Sequence, residues 1–258
     1  MDFDIIRSRI EEFIDRTVEE YQGRDDVTTK FGKAKLGFVS ASDQMFDAFF
    51  ARGENDHPKK IWRPGNTLIV YYLPFADEIP QADEKGNANP DWLKAIEDSR
   101  WLSMKVNDAI VDALREFGRL YSRLSTTVDW DYSKHRYEWS HKLAGYLAGL
   151  GTFGPAGSFQ TDTGFGGRVG AMITDGYLAP FPDMRKGDEL EKEFDEIMAA
   201  CRYKGAGGAA CSDEMIAACP GGAISEDGID RGKCQDYCDT LRKGDPCPDV
   251  CGRCFGFK

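Results

Sequence analysis

The spacing of apolar residues predicts two long helices in the first half of the chain. Between residues 2 and 22, apolar side chains recur at three- and four-residue steps with charged residues between them. This pattern is typical of a helix that packs one face against a core. A second helix with the same spacing starts at Pro90 and ends at Gly118. Shorter helices are predicted in the second part of 36–51, from Trp139 to Leu147, and over 185–200.

Runs and alternations of apolar residues predict the strands. Residues 68–73 form a run of aliphatic and aromatic residues that stops at Pro74, as expected of a buried strand. In 164–175, apolar residues alternate with others before an Asp-Gly turn signal, which predicts a second strand. An extended stretch opens 36–51, and 119–128 is a further candidate strand. Because helices and strands alternate, we expect α/β or α+β layering, and the order of the strands stays open.

Composition and charge narrow the class of protein. Of the 258 residues, 41% are hydrophobic, which is enough for one large domain and a small appendage. No apolar run is long enough for a membrane-spanning helix, and the N-terminal segment is acidic and amphipathic. We therefore expect a cytoplasmic protein without a membrane partner. The net charge of −11 argues against a nucleic-acid partner, whereas an acidic surface would suit a basic electron-donor protein.

The cysteines mark the part of the chain that carries chemistry. The first 200 residues contain none, and all eight lie in the remainder: Cys201, Cys211, Cys219, Cys234, Cys238, Cys247, Cys251 and Cys254. Such a concentration of thiols next to glycine and proline is typical of a metal or iron–sulfur site. We therefore divide the chain into a core domain over 1–198 and a cysteine-rich domain over 199–258.

The spacing of these cysteines favours iron–sulfur clusters. Cys219 precedes Pro220, as the last cysteine of a bacterial ferredoxin run does, and Cys247, Cys251 and Cys254 form a tight trio. Eight thiolates match two [4Fe–4S] clusters, although the wide spacing upstream of Cys219 leaves open that the first cluster is degenerate. Structural zinc and a disulfide scaffold remain as alternatives for the thiols.

A stretch rich in aromatic and ionisable residues supplies candidate proton donors. It runs from residue 129 to residue 141 and contains two of the three histidines. The candidates are Asp129, Asp131, Tyr132 and His141, because side chains of these types donate protons in active sites. The alternative is an amphipathic helix whose aromatic residues belong to the core. By contrast, His57 lies in a polar loop, where we expect it to be solvated.

The glycine segment that follows is a candidate cofactor site. Gly149, Gly151 and Gly154 match the G-x-G-x-x-G pattern of dinucleotide-binding proteins. In those proteins a strand precedes the pattern and a helix follows it, whereas here a helix precedes it and Pro155 follows. We therefore expect these glycines, with Gly157, to let the backbone turn sharply and approach a large, flat ligand.

Two segments of the chain resemble the epoxyqueuosine reductase family, which is related to the corrinoid-dependent reductive dehalogenases. They are SHKLAGYLAGLGTFGPAGSFQTDTGFGGRVGAMITDGYLAP (140–180) and CSDEMIAACPGGAI (211–224). The resemblance implies a nitroreductase-like α+β core that binds cobalamin, followed by a ferredoxin-like domain with two [4Fe–4S] clusters. It further implies an oxidoreductase whose clusters pass electrons to a corrinoid, or to a corrinoid-bound substrate, in the core.

The resemblance also implies a grouping of the thiols. Cys219, Cys234 and two of Cys238, Cys247 and Cys251 would share one cluster, and Cys201, Cys211, Cys254 and the remaining thiol would hold the other. The chain departs from the family in the stretched first cysteine motif. Neither Asp129 nor Asp131 stands at the distance of the family's catalytic Asp from the glycine segment, so the epoxyqueuosine activity is not transferred.

Three other functions stay open. The first is a ferredoxin-like electron carrier without a substrate, for which we expect a closed core that lacks a pocket. The second is a flavin-binding reductase, because nitroreductase-like cores elsewhere hold FMN. The third is a zinc-stabilised binding protein.

Overall fold

The computed structural model describes residues 3–82, 88–123, 130–131, 133, 136–137, 139–182, 184–201, 211–242 and 251–254. The helices are α1 (Phe3–Gln22), α2 (Gln44–Ala51), α3 (Pro58–Ile61), α4 (Pro90–Arg115), α5 (His141–Leu147), α6 (Glu189–Cys201), α7 (Asp213–Ala218) and α8 (Arg231–Arg242). The strands are β1 (Lys35–Ser40), β2 (Thr67–Pro74), β3 (Tyr121–Arg123), β4 (Trp130–Asp131), β5 (Arg136–Tyr137), β6 (Thr152–Phe153), β7 (Phe159–Gln160), β8 (Gly167–Thr174), β9 (Ile224–Ser225) and β10 (Gly228–Ile229).

The central sheet of the described chain is antiparallel throughout. Its strands lie in the order β1-β2-β8-β3, and β2 pairs with β1 on one side and β8 on the other. Every residue of β2 is buried, because this strand has a neighbour on each side and helices on both faces. The sequence left α/β and α+β layering open, and the antiparallel pairing decides for α+β.

Helices cover both faces of this sheet. On one face, α1 and α4 pack their apolar stripes against Ile69, Tyr71 and Leu73. On the other face, α2, α5 and α6 enclose Leu68 and Val70. Successive residues of β2 thus face opposite cores, which explains why this strand is one continuous apolar run rather than an alternation.

A buried carboxylate connects α4 to the loop that follows α1. Asp98 is 1% exposed, and its carboxylate accepts hydrogen bonds from the Thr29 hydroxyl and from Lys94 Nζ, both at 2.7 Å. The charge is therefore paired and hydrogen-bonded, as a buried carboxylate requires.

The described segment 211–242 follows α6 in the chain, and we call it the cysteine-rich unit. It consists of α7, the short hairpin of β9 and β10, and α8. Met215, Ile224 and Ile229 form its apolar cluster, together with Cys211 and with Ala156 from the glycine segment. A ferredoxin-like iron–sulfur domain here stays a prediction. The predicted boundary between residues 198 and 199 falls inside α6, whose Phe194 and Ile197 pack in the core, and the division into domains also stays a prediction.

Most of the predicted elements are confirmed. They include the helix over 2–22, the helix from Pro90, the strand over 68–73 and the strand within 164–175. Of the candidate strand over 119–128, β3 occupies 121–123, and 124–128 lie outside the described residues. Among the described residues, no helix is long and apolar enough to cross a membrane.

Candidate functional site

A cavity of about 340 Å³ lies between the core and the cysteine-rich segments. The ends of β2 and β8 contribute Tyr72 and Arg168 to its lining. The cysteine-rich segments contribute four thiols: Cys219, Cys234, Cys251 and Cys254. Aromatic side chains complete the lining, among them Trp92, Trp139, Phe159 and Phe165. The cavity is therefore largely apolar, with a small number of polar groups, as ligand sites usually are.

Tyr72 belongs to this lining, but its hydroxyl is buried inside the protein. The residue is 1% exposed, its ring centroid lies 6.0 Å from that of Phe159, and within the described chain its hydroxyl has no hydrogen-bond partner. Burial raises the pKa of Tyr72 to about 12. The nearby Thr161 hydroxyl acts to lower this pKa, but it does not reach hydrogen-bonding geometry. Tyr72 is therefore a neutral donor at physiological pH.

Arg168 places a cation on the other face of the sheet, toward α4. Its Nε donates to the Ser99 hydroxyl over 3.0 Å, and its Nη2 donates to the Ile96 carbonyl over 3.4 Å. Both partners are neutral, and among the described residues no carboxylate pairs with this guanidinium.

Of the predicted proton donors, the structure places His141 in the lining of the cavity. His141 begins α5, and its Nδ1 accepts a hydrogen bond from the Trp139 indole over 3.2 Å. The neutral imidazole therefore carries its proton on Nε2. The backbone of Asp131 belongs to β4, while its side chain, Asp129 and Tyr132 lie outside what the structure describes.

Three of the four predicted cofactor glycines line one of two places, and Gly154 lines neither. Gly157 lines the cavity, whereas Gly149 and Gly151 border a separate groove beside the ion pair of Lys35 and Asp162. A Cβ at Gly151 would lie 2.3 Å from the Gln160 carbonyl oxygen.

Gly154 is equally constrained by the chain itself, because a Cβ there would lie 2.5 Å from the Gln160 side chain. The return strand β7 thus explains why Gly151 and Gly154 have no side chain. The role of the four glycines toward a cofactor stays a prediction.

Four of the six described thiols line the cavity: Cys219, Cys234, Cys251 and Cys254. These four are partly exposed, whereas Cys211 and Cys238 are buried. Cys201 ends α6, but its side chain is not described, and Cys247 lies outside the described residues. The thiols that the sequence singled out are thus found together wherever the structure describes them.

The described thiols are donors of the type that an iron–sulfur cluster uses. The Ala223 N–H donates to Cys219 Sγ over 3.2 Å, the kind of contact that stabilises a cluster thiolate. Burial raises the pKa of the Cys251 thiol to about 11, and the nearby Cys238 and Cys219 raise it as well. Among the described side chains, however, no group of three or more His, Cys, Asp or Glu is arranged to hold a metal ion. The type of donor therefore fits an iron–sulfur cluster, and the number of clusters stays a prediction.

Sequence reasoning did not find Tyr72 or Arg168. Tyr72 belongs to the apolar run of β2, and nothing in the sequence distinguishes it from its neighbours. Only the fold shows that its hydroxyl has no hydrogen-bond partner among the described residues. The sequence contained one weak indication of Arg168: it is a charged residue inside a predicted strand, and a cation between two buried faces needs a polar neighbour.

Comparison with known proteins gives a similarity of fold. The sequence matches no protein-family model and no curated protein. A crystal structure of an epoxyqueuosine reductase with a modified tRNA stem loop aligns over 92% of this chain and 57% of its own, with a TM-score of 0.50 and 14% identity. The enzyme from Streptococcus thermophilus aligns over 85% of this chain and 55% of its own, with a TM-score of 0.43 and 16% identity. The enzyme from Bacillus subtilis aligns over 88% and 57%, with a TM-score of 0.44 and 14% identity.

The first of these alignments confirms that the chain resembles an epoxyqueuosine reductase in fold, as the sequence resemblance predicted. The chain spans a little over half of the length of the structures it matches.

Proposed function

We propose that this protein is an iron–sulfur oxidoreductase in which the C-terminal cysteines hold [4Fe–4S] clusters that deliver electrons to a ligand in the cavity. The observation that carries the proposal is that the thiols and the central sheet line one cavity. Cys219, Cys234, Cys251 and Cys254 border the same cavity as the end of the central sheet. A cluster on these thiols would supply low-potential electrons next to the ligand, without a long transfer path.

The cavity favours an enzyme over a simple electron carrier. A carrier without a substrate needs no internal space, and we expected a closed core for it. In the described part of the chain, the cavity instead combines aromatic walls with Tyr72, His141 and Arg168. His141 is the candidate proton donor, with Asp129, Asp131 and Tyr132 as the further candidates from the sequence.

The ligand that we propose is a corrinoid, or a substrate bound to one. Flat aromatic side chains and the backbone of Gly157 offer surface to a planar macrocycle. A volume of about 340 Å³ is at the small end for a site that holds a drug-sized molecule, so a corrinoid would extend beyond the described lining. FMN is the alternative ligand, and it is smaller than a corrinoid. We also propose that an electron-donor protein reduces the clusters and that the protein is cytoplasmic.

A nucleic-acid substrate is the alternative that the fold similarity raises. The relative with the highest TM-score of those compared was crystallised with a tRNA stem loop. Against this, the chain has a net charge of −11, and binding to RNA phosphates requires a basic surface. The absence of a nucleic-acid partner therefore stays a prediction.

The experiment begins with iron, zinc and cobalt analysis and absorbance of anaerobically purified protein. We expect about eight irons per chain and a broad absorbance that bleaches on reduction. Cys219→Ser should lower the iron content by about four per chain, whereas Ser225→Ala, a control in the same unit, should not. Zinc without iron would overturn the proposal.

Ligand titrations then separate the alternatives. Cobalamin should bind to the cluster-loaded protein and be reduced by it, and FMN and a tRNA stem loop are titrated in parallel. Binding of FMN alone would replace the corrinoid by a flavin. If the clusters are present but none of the three ligands binds, the protein is an electron carrier.

A further inference from the structure

We propose that Trp92 is a positioning residue for the cluster thiols: the segment 251–254 packs against its indole, and this contact holds Cys251 and Cys254 at the cavity. The inference rests on the proposed function in one respect, since it takes these two thiols as cluster ligands. It adds a residue of the core, outside the cysteine-rich segments, on which the position of the thiols depends.

The first argument is the contact between Gly252 and Trp92. Gly252 lies between the two thiols, is buried and has a positive φ of 63°. A Cβ at this position would lie 2.6 Å from Trp92 Cζ2 and 2.8 Å from Cε2, closer than Cβ atoms approach their neighbours in proteins. The backbone of the segment therefore lies directly against the indole. Both the backbone angle and the lack of space require glycine here.

The second argument is that the core holds the indole in place. Trp92 belongs to the first turn of α4 and is 2% exposed. Its ring lies edge-to-face with Phe75, with centroids 5.9 Å apart, and its centroid is 6.4 Å from that of Phe165. Aromatic pairs at these separations attract each other. Because Phe75 follows β2 and Phe165 precedes β8, the indole is fixed relative to the sheet as well as to the helix.

The third argument is the place of this contact in the molecule. Trp92, Cys251 and Cys254 all line the cavity, and Cys254 also packs against the small apolar cluster of the cysteine-rich unit. The segment thus contacts the core through Gly252 and the cysteine-rich unit through Cys254. Functional side chains on loops keep their position when a rigid element supports them, and Trp92 provides that support from the core.

The test adds a methyl group at Gly252 and compares it with a second glycine of the same conformation. Gly252→Ala must displace the indole or the segment, and its positive φ disfavours any side chain. Gly222→Ala is the matched control in the cysteine-rich unit. Gly222 has a φ of 58°, and a Cβ there would have no neighbour within 4 Å. The control therefore measures the effect of backbone strain without a contact to the core.

Two rates, measured on the full chain as purified without oxygen, report the position of the thiols. The first is the loss of iron to a chelator, and the second is the alkylation of Cys254 by iodoacetamide. Trypsin releases Cys254 in the peptide 254–258, which contains no other thiol, and the peptide 234–242 serves as an internal reference. We expect both rates to rise about tenfold in Gly252→Ala and much less in Gly222→Ala.

Trp92→Phe distinguishes a contact with the indole from a local defect of the segment. The smaller ring leaves room for the added methyl group and can still pack with Phe75 and Phe165. In the double variant, Cys254 should therefore react more slowly than in Gly252→Ala alone, so the two substitutions are not additive. If Trp92 only stabilises the core, the double variant should instead react faster than either single variant, and the proposal is refuted.

The two proposals can fail separately. Zinc or no metal in the purified protein refutes the iron–sulfur function, whereas the alkylation rates still decide whether Trp92 positions the segment. If Gly252→Ala changes the alkylation of Cys254 no more than Gly222→Ala does, Trp92 has no such role. A faster reaction in Gly252→Ala that Trp92→Phe reverses supports the role, whichever ligand the cavity binds.

Discussion

His57 shows how a single side chain is changed by its surroundings. The sequence placed it in a polar loop, where we expected it to be solvated, and this expectation is wrong. Its Nδ1 accepts a hydrogen bond from the Lys59 backbone N–H over 3.1 Å and so caps α3. Its ring also lies against Phe46 and Phe50, with centroids 6.3 Å apart in both cases. Burial lowers the pKa of His57 below its ordinary value of 6.5, although Asp47 opposes the shift.

This shift predicts a pH dependence of stability. Because the pKa is lower in the folded state, protonation favours the unfolded state. The stability that the neutral imidazole contributes is complete above pH 6.5 and is lost as the pH falls through the folded-state pKa. His57→Asn keeps a capping acceptor but does not titrate. We expect the free energy of unfolding of the wild type to fall relative to this variant between about pH 7 and about pH 5, measured by urea denaturation. A difference that stays constant with pH would contradict the prediction.

At the scale of elements, Tyr71 connects the central sheet to α4, and its ring lies over Gly170. Tyr71 on β2 stands directly opposite Gly170 on β8. Its hydroxyl lies 3.0 Å from the Ser103 carbonyl oxygen and 2.9 Å from Asn107 Oδ1, both on α4. A Cβ at Gly170 would lie 2.2 Å from the Tyr71 ring. The strand therefore needs glycine here so that the ring can cross to the helix.

Gly170→Ala should displace this ring and weaken the contact between sheet and helix. Overpacking of this kind costs about 1–3 kcal/mol, which chemical denaturation would detect as a lower midpoint. Gly176→Ala is the matched control just beyond the same strand, because a Cβ there would have its nearest neighbour at an ordinary 3.5 Å. Equal stability of the two variants would show that the Tyr71 ring has room to move.

At the scale of the whole molecule, the described residues form two large apolar clusters and one small one. The large clusters lie on the two faces of the central sheet and are built from residues between Ile6 and Ile197. The small cluster of the cysteine-rich unit has five buried members, and one of them, Ala156, comes from the glycine segment. A unit with so small a core usually needs a metal or disulfides to stay folded.

If the thiols hold the proposed clusters, removing the clusters should unfold the cysteine-rich unit and leave the core intact. After oxidation and chelation of the iron, we expect limited proteolysis to cut within 211–242, while circular dichroism shows that most of the helix content survives. Reconstitution with iron and sulfide should restore the resistance to protease. If the iron-free protein is as resistant as the loaded one, the unit folds without clusters, and the thiols have another role.

The sequence by itself determined where the main helices and strands lie, and it predicted which side chains would bind a metal. Helices such as α1 and α4 follow from the local period of apolar residues, and β2 follows from an apolar run that stops at Pro74. The cluster prediction likewise depends only on the number and spacing of the cysteines. These features are local, so they can be read along the chain.

Only the tertiary structure decided which distant residues meet. The order β1-β2-β8-β3 joins strands that are almost a hundred residues apart, and no local pattern specifies such a pairing. The same pairing brings the ends of β2 and β8 into the lining of a cavity that also contains four cysteines. Whether a buried hydroxyl or guanidinium has a partner depends on all its neighbours in space. For this reason the surroundings of Tyr72 and Arg168 became visible in the fold and not in the sequence.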